Sequence, residues 1–158
     1  MGGCSSANTG SKPIKKGGKP CSEVAIESEG VFISTQQLAT LMDCCDAAQK
    51  LRILDATIKP EGGDVIYKDF AEKQIQGARF LDLLFIRDWT KPFPFMMPTK
   101  EHFVRAMKAM DIRKSHTVVI YETGKGWFAT RAAFMLKAYG HPRVYVLNGG
   151  LSKWCAEG

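Results

Sequence analysis

Residues 118–133 read VVIYETGKGWFATRAA, and this stretch decides the fold. Its first four residues are apolar or aromatic and predict a buried strand, which a glycine-bearing loop connects to a helix. In such a unit, loop N–H groups and the helix N-terminus converge on an anion, and a nucleophile can stand at the strand tip. The tip residue here is Glu122, and neither Cys nor Ser lies between Tyr121 and Arg131. A carboxylate therefore stands at the mouth of an anion cradle.

The composition predicts one soluble globular domain, since 45% of the 158 residues are hydrophobic and 24% are charged. The net charge of +6 is uneven. Residues 1–22 carry four lysines and no acid, whereas the remaining residues hold 18 Lys and Arg against 16 Asp and Glu, a balance of +2. A nearly neutral body argues against nucleic acid as a partner.

The five cysteines follow no disulfide or zinc spacing, and two of them, Cys44 and Cys45, are adjacent. We therefore expect a reducing compartment, no metal and no cofactor. We predict that Cys44, Cys45 and Cys155 pack in the interior, with a redox pair of Cys44 and Cys45 as the alternative, and that Cys21 is a free thiol. Residues 1–22 also lack the apolar run of a secretory signal.

Residues 1–28 form a Gly-, Ser- and Lys-rich tail that we predict to be disordered. Its first six residues, MGGCSS, fit the N-myristoylation pattern with Gly2 as acceptor and Ser6 in the required place. Two features of the tail could supply a second anchoring signal. Cys4 could take a palmitoyl chain, and the four lysines are attracted to an anionic leaflet. The sequence thus predicts a protein on the cytoplasmic face of a membrane, or in the cytoplasm if it is not acylated. A merely solubilising tail is the alternative.

Strand and helix patterns alternate along residues 29–158, which we predict to be one domain. VFIST (31–35) predicts a strand, and Ser34 with Gln37 a capping box for the next helix. The order predicts an α/β fold with a mostly parallel sheet and helices on both faces. The remaining predicted strands are RILDAT (52–57), SHTVVIYE (115–122) and VYVLNGG (144–150), and GARFLDL (77–83) is predicted as a short strand or a turn. The remaining predicted helices begin at Thr99, Ala129 and Leu151.

The order of four motifs resembles that of the rhodanese (thiosulfate sulfurtransferase) domain. These motifs are ILDAT, QIQGARFLD, VVIYE with its loop and helix, and VYVLNGGLSKW. More narrowly, it is similar to the first, non-catalytic domain of tandem thiosulfate and mercaptopyruvate sulfurtransferases. The resemblance implies that active members hold a cysteine at the strand tip, where its thiolate accepts a sulfane sulfur as a persulfide. Glu122 occupies that position here, so the resemblance implies that the isolated chain has no catalytic residue and is inactive.

Two classes of function stay open. One is a non-catalytic rhodanese-like module that is tethered to a membrane and binds a protein partner or a small anion. The other is a sulfurtransferase whose cysteine lies in a second rhodanese domain or partner chain, or is another thiol of this chain.

The cradle residues are Glu122, Thr123, Gly124, Lys125, Gly126 and Arg131. We expect the Glu122 oxygens to accept the loop N–H groups as a built-in anion rather than to act in catalysis. Lys125 does not complete a phosphate-binding P-loop, because Val119 stands where that motif needs glycine. We expect Arg131 to pair with Glu122, with substrate binding as the alternative, and Asp55 to fix a loop.

Overall fold

A computed structural model describes residues 19–26, 28, 30–44, 46–58 and 69–157. Five strands form one sheet there in the order β1-β5-β4-β2-β3, and every pairing is parallel. This confirms the predicted α/β fold. The elements are β1 (Phe32–Ile33), α1 (Thr35–Met42), α2 (Ala47–Lys50), β2 (Leu51–Asp55), β3 (Ala78–Phe80), α3 (Lys100–Ala109), β4 (Thr117–Tyr121), α4 (Trp127–Ala138), β5 (Val144–Leu147) and α5 (Gly150–Glu157).

The central strand β4 is buried along its whole length. Because side chains alternate across a strand, its residues divide between two cores. Val118 and Ile120 belong to one cluster with α3 and α4, and Val119 and Tyr121 belong to the other with α1 and α5. Helices therefore cover both faces of the sheet, as predicted.

Helix α1 begins as predicted, with the Ser34 side chain accepting the Gln37 N–H at 3.1 Å. The capping box is only half formed, because the Gln37 side chain donates to the Ala25 carbonyl instead. Thr99 caps α3 in the same way, accepting from the His102 N–H at 3.3 Å. Two details differ from the prediction: α4 begins at Trp127 rather than Ala129, and the short helix α2 was not predicted.

The predicted tail boundary at residue 28 is wrong. Cys21 is buried, and its backbone N–H donates to the Asp46 carboxylate at 2.6 Å. Val24 and Ile26 pack against the core on the α1 and α5 side. These few apolar residues anchor a segment whose overall composition is polar. The acylation residues Gly2 and Cys4 lie outside the described residues.

The cysteines follow the predictions in part. Cys21 and Cys44 are buried thiols, and burial raises the pKa of Cys21 far above its ordinary value. Cys155 packs at the edge of the core as expected, but it is also disulfide-bonded. Cys45 lies outside the described residues. Among the described helices, none is long and apolar enough to cross a membrane.

Candidate functional site

The loop between β4 and α4 closes around the Glu122 side chain. Glu122 Oε1 accepts the Gly126 N–H at 2.6 Å, and Oε2 accepts the N–H groups of Phe128 and Ala129, both at 2.7 Å. Glu122 is only 3% exposed. The expected acceptance of loop N–H groups by Glu122 is therefore confirmed.

Glu122 also acts as the N-terminal cap of α4. The first backbone N–H groups of a helix lack partners within it, and a capping side chain usually accepts them. Gly126 holds the capping position with a φ of +88°, and a glycine has no side chain to accept with. The Glu122 carboxylate supplies that acceptor from the preceding strand, where its charge also matches the positive end of the helix dipole.

Two glycines allow this close approach. A Cβ at Gly124 would lie 2.9 Å from Glu122 Oε1, and one at Gly150 would lie 2.4 Å from the Glu122 carbonyl oxygen. That carbonyl accepts the Leu151 N–H at 3.1 Å. The start of α5 is thus held against the strand tip, and Glu122 is bound to the chain through both its side chain and its backbone.

Asp55 holds the other side of the loop, as expected, and does so through Thr57. The Asp55 carboxylate accepts from the Thr57 N–H at 2.8 Å and from its hydroxyl, and the Thr57 hydroxyl oxygen accepts the Thr123 N–H at 3.0 Å. Burial raises the pKa of Asp55, although the Thr57 hydrogen bonds act in the opposite direction. Thr57 could not be singled out from the sequence, because a hydroxyl two residues after a buried aspartate was its only signal.

The two cationic cradle residues do not reach the carboxylate. The Arg131 guanidinium donates to the Phe95 carbonyl, so the predicted pairing with Glu122 is wrong. The Lys125 side chain is exposed, and its ammonium lies 5.5 Å from the centre of the Trp127 ring. Three of the N–H groups that could bind an external anion are thus satisfied by Glu122, and neither Lys125 nor Arg131 pairs with its carboxylate.

Beside the loop lies a cavity of about 340 Å³, bordered by Thr57, Ile58, Trp127 and Phe128. Glu122 and Thr123 form part of its wall. Among the described residues, no group of three or more His, Cys, Asp or Glu could hold a metal ion. The arrangement offers a small, partly aromatic surface recess next to a filled cradle, with the carboxylate of Glu122 at the strand tip.

The sequence of this chain is similar to that of a known protein family. A model of the rhodanese-like domain matches residues 34–157. Thiosulfate sulfurtransferase of Gallus gallus is 36% identical over 129 residues, which are 80% of this chain and 45% of that protein. The 3-mercaptopyruvate sulfurtransferase of Homo sapiens is 34% identical over the same length, 43% of that protein.

A solved structure agrees with these relatives. The crystal structure of SseA from Escherichia coli, a 3-mercaptopyruvate sulfotransferase, superposes with a TM-score of 0.69 at 29% identity, over 78% of this chain and 47% of that one. The chain spans less than half the length of the curated relatives named above.

Proposed function

Since the chain belongs to the rhodanese-like domain family, we propose that it is a non-catalytic rhodanese module held at a membrane by an acylated N-terminus. Its binding function would then be carried by surfaces around the loop rather than by sulfur chemistry within it.

The observation that carries the proposal is the internal use of the cradle. Sulfur transfer needs a nucleophile that can bond to sulfur, and a thiolate is activated by N–H groups and a helix N-terminus. Here a carboxylate takes three of those N–H groups at 2.6–2.7 Å. A carboxylate forms no persulfide, and its charge repels thiosulfate or phosphate.

The first test is sulfur transfer from thiosulfate and from mercaptopyruvate to cyanide by the purified chain. The control is the same chain with all five cysteines changed to serine. We expect no turnover above that control. Turnover that the control loses would show that another thiol of this chain does the chemistry, and would refute the proposal.

The tether is tested by cell fractionation. Gly2→Ala removes the acyl acceptor, so we expect the protein to move from the membrane fraction to the soluble fraction. Gly3→Ala is the matched control, because it makes the same change one residue further on and leaves the acceptor in place. Equal fractionation of the two variants would refute acylation at Gly2.

A second candidate rests on the length of the relatives. The matched region covers 45% of the chicken protein and 43% of the human one, so a catalytic cysteine could be supplied by another domain. The chain would then be one half of a thiosulfate or mercaptopyruvate sulfurtransferase. This alternative predicts that adding this chain to the second domain of such a relative raises its turnover above that of the domain alone.

A further inference from the structure

Large exposed aromatic side chains are concentrated in two segments of the described chain. These are the loop of residues 85–97 and helix α4. The aromatic residues of the described chain that are more than half exposed all lie there: Phe85 (61%), Trp89 (58%), Phe93 (65%), Trp127 (69%) and Phe134 (59%). We call these two segments, together with the loop residues 123–126 before α4, the aromatic face. Scattered apolar residues are ordinary on a surface, but such a concentration marks an interaction site.

Direct contacts hold the two segments together on one side of the sheet. The Phe95 and Phe128 rings pack with their centres 5.5 Å apart, and the Arg131 guanidinium donates to the Phe95 carbonyl. Further along, the Tyr139 hydroxyl donates to the Pro98 carbonyl. Phe95 has a φ of +62°, an uncommon backbone conformation for a bulky residue, and these contacts keep it in place. The loop is therefore fixed against α4.

Positive charge is concentrated in the same segments. Residues 85–97 and 123–138 contain five Lys and Arg and one acid, Asp88, a balance of +4. The rest of residues 23–158 holds 13 Lys and Arg against 15 acids, a balance of −2. Three of these cations lie over exposed rings: Arg87 is 4.1 Å from the centre of Trp89, Lys125 is 5.5 Å from that of Trp127, and Arg131 is 6.0 Å from that of Phe134. The face thus combines aromatic rings with cations.

We propose that the aromatic face docks on the surface of an anionic lipid bilayer, with Trp89, Trp127 and Phe134 at the level of the headgroups. Tryptophan favours that zone because its ring is amphipathic, and Lys and Arg are attracted to anionic headgroups. This extends the proposed membrane tether from the tail to the folded body, and it rests on that proposal for its cellular setting. Its physical basis lies in the described residues and needs no acyl chain.

The position of the tail is compatible with this docking. Val24 and Ile26 pack on the α1 and α5 side of the sheet, opposite to α4. The 18 residues before Lys19 can extend over at most roughly 60 Å, which is enough to pass around a domain of this size and reach the same bilayer. An acyl chain and the aromatic face could therefore act on one membrane together.

The experiment uses the full chain carrying Gly2→Ala and Cys4→Ser, so that neither proposed acylation residue contributes. It is mixed with vesicles of phosphatidylcholine, with or without about 30% phosphatidylserine, that contain lipids brominated on the acyl chain as fluorescence quenchers. The chain has three tryptophans. Trp154 packs beside the core on the α1 and α5 side, so it serves as an internal reference.

Two reporter variants separate the sides of the molecule. Trp154→Phe leaves only the tryptophans of the aromatic face, and we expect the brominated anionic vesicles to quench its fluorescence. The double variant Trp89→Phe/Trp127→Phe leaves only Trp154, and we expect no quenching. Equal quenching of both reporters, or of neither, would overturn the proposal.

A second measurement tests the contribution of the side chains. Trp127→Ser/Phe134→Ser should lower partitioning into anionic vesicles by about tenfold or more, because two large apolar surfaces are lost. Val104→Ser, at an exposed apolar position of α3 outside the face, should leave it unchanged. Circular dichroism checks that both variants fold. Partitioning that the double variant retains would assign vesicle binding to the tail lysines and overturn the proposal.

The results also separate docking by the aromatic face from anchoring by the acylated tail. If the Gly2→Ala/Cys4→Ser chain does not bind vesicles while the acylated chain remains on membranes in cells, the acyl tether is supported and docking by the aromatic face is refuted. The aromatic face would then be assigned to contact with a protein, such as a second rhodanese domain.

Discussion

Replacing Glu122 tests whether the cradle depends on its built-in anion. Glu122→Ala leaves three backbone N–H groups without the partners that they now have at 2.6–2.7 Å. A hydrogen bond to a charged group contributes about 1.5–3 kcal/mol, so the three together set an upper limit of roughly 5–9 kcal/mol. Water entering the space offsets part of this loss, and so does the desolvation cost of a buried carboxylate, which the variant no longer bears. We expect a net loss of about 3 kcal/mol.

Glu122→Gln is the more conservative variant, because it keeps the size of the side chain. One carboxylate oxygen faces the Gly126 N–H and the other faces those of Phe128 and Ala129. Either orientation of the glutamine amide therefore turns its NH₂ group toward a donor. We expect a loss of about 2 kcal/mol, from at least one lost hydrogen bond and the donor left facing a donor.

The assay is urea unfolding followed by circular dichroism, which gives the free energy of unfolding and the m-value. Glu23→Gln is the control, since Glu23 is exposed and should change stability by less than about 0.5 kcal/mol. We expect an unchanged m-value, and a fall in Tm of about 6–12 °C for Glu122→Ala. If both Glu122 variants match the control, the carboxylate does not hold the loop and our account of the cradle is wrong.

Three further predictions concern stability. Gly150→Ala places a Cβ 2.4 Å from a backbone oxygen at the strand tip, so thermal unfolding should show a loss of about 3 kcal/mol; Gly77→Ala, with a φ of +78° but open space around it, should lose only about 1 kcal/mol. Burial lowers the pKa of both His116 and His141, so the folded state binds fewer protons than the unfolded one, and unfolding by urea should become easier as the pH falls below about 6.5. Burial raises the pKa of Asp55, so the folded state binds more protons there; relative to Asp55→Asn, the free energy of unfolding should decrease as the pH rises above about 4, and a pH-independent difference between the two would contradict this.

The sheet could be predicted from the sequence because its signals are local. VVIY and VYVL are short apolar runs bounded by turn residues, and the structure has strands at Thr117–Tyr121 and Val144–Leu147. The role of Glu122 as acceptor could also be predicted. It depends only on a strand tip, a glycine loop and a helix N-terminus that follow one another in the chain.

Features that depend on distant parts of the chain could not be predicted. Arg131 lies on α4 about one helical turn after Trp127, and its proximity in sequence suggested Glu122 as its partner. Its actual partner is the carbonyl of Phe95, a residue 36 positions earlier in a proline-rich loop. Nothing in the local pattern indicates that this loop packs on α4, or that Phe95 adopts a positive φ. The tail boundary was misplaced for the same reason, since Cys21 meets its partner Asp46 only in the folded domain.

The strand order has a consequence for synthesis on the ribosome. β1 is the first described strand to leave the ribosome, but its single neighbour in the sheet is β5, where Phe32 aligns with Val146. At about 5–20 residues per second, β5 is synthesised roughly 6–23 s after β1, and β1 has no partner strand during that time. During that interval Ile33 and the apolar side of α1 have no completed sheet to cover them. Nascent chains would therefore need protection, by a chaperone or by the ribosome surface, until the last strand emerges.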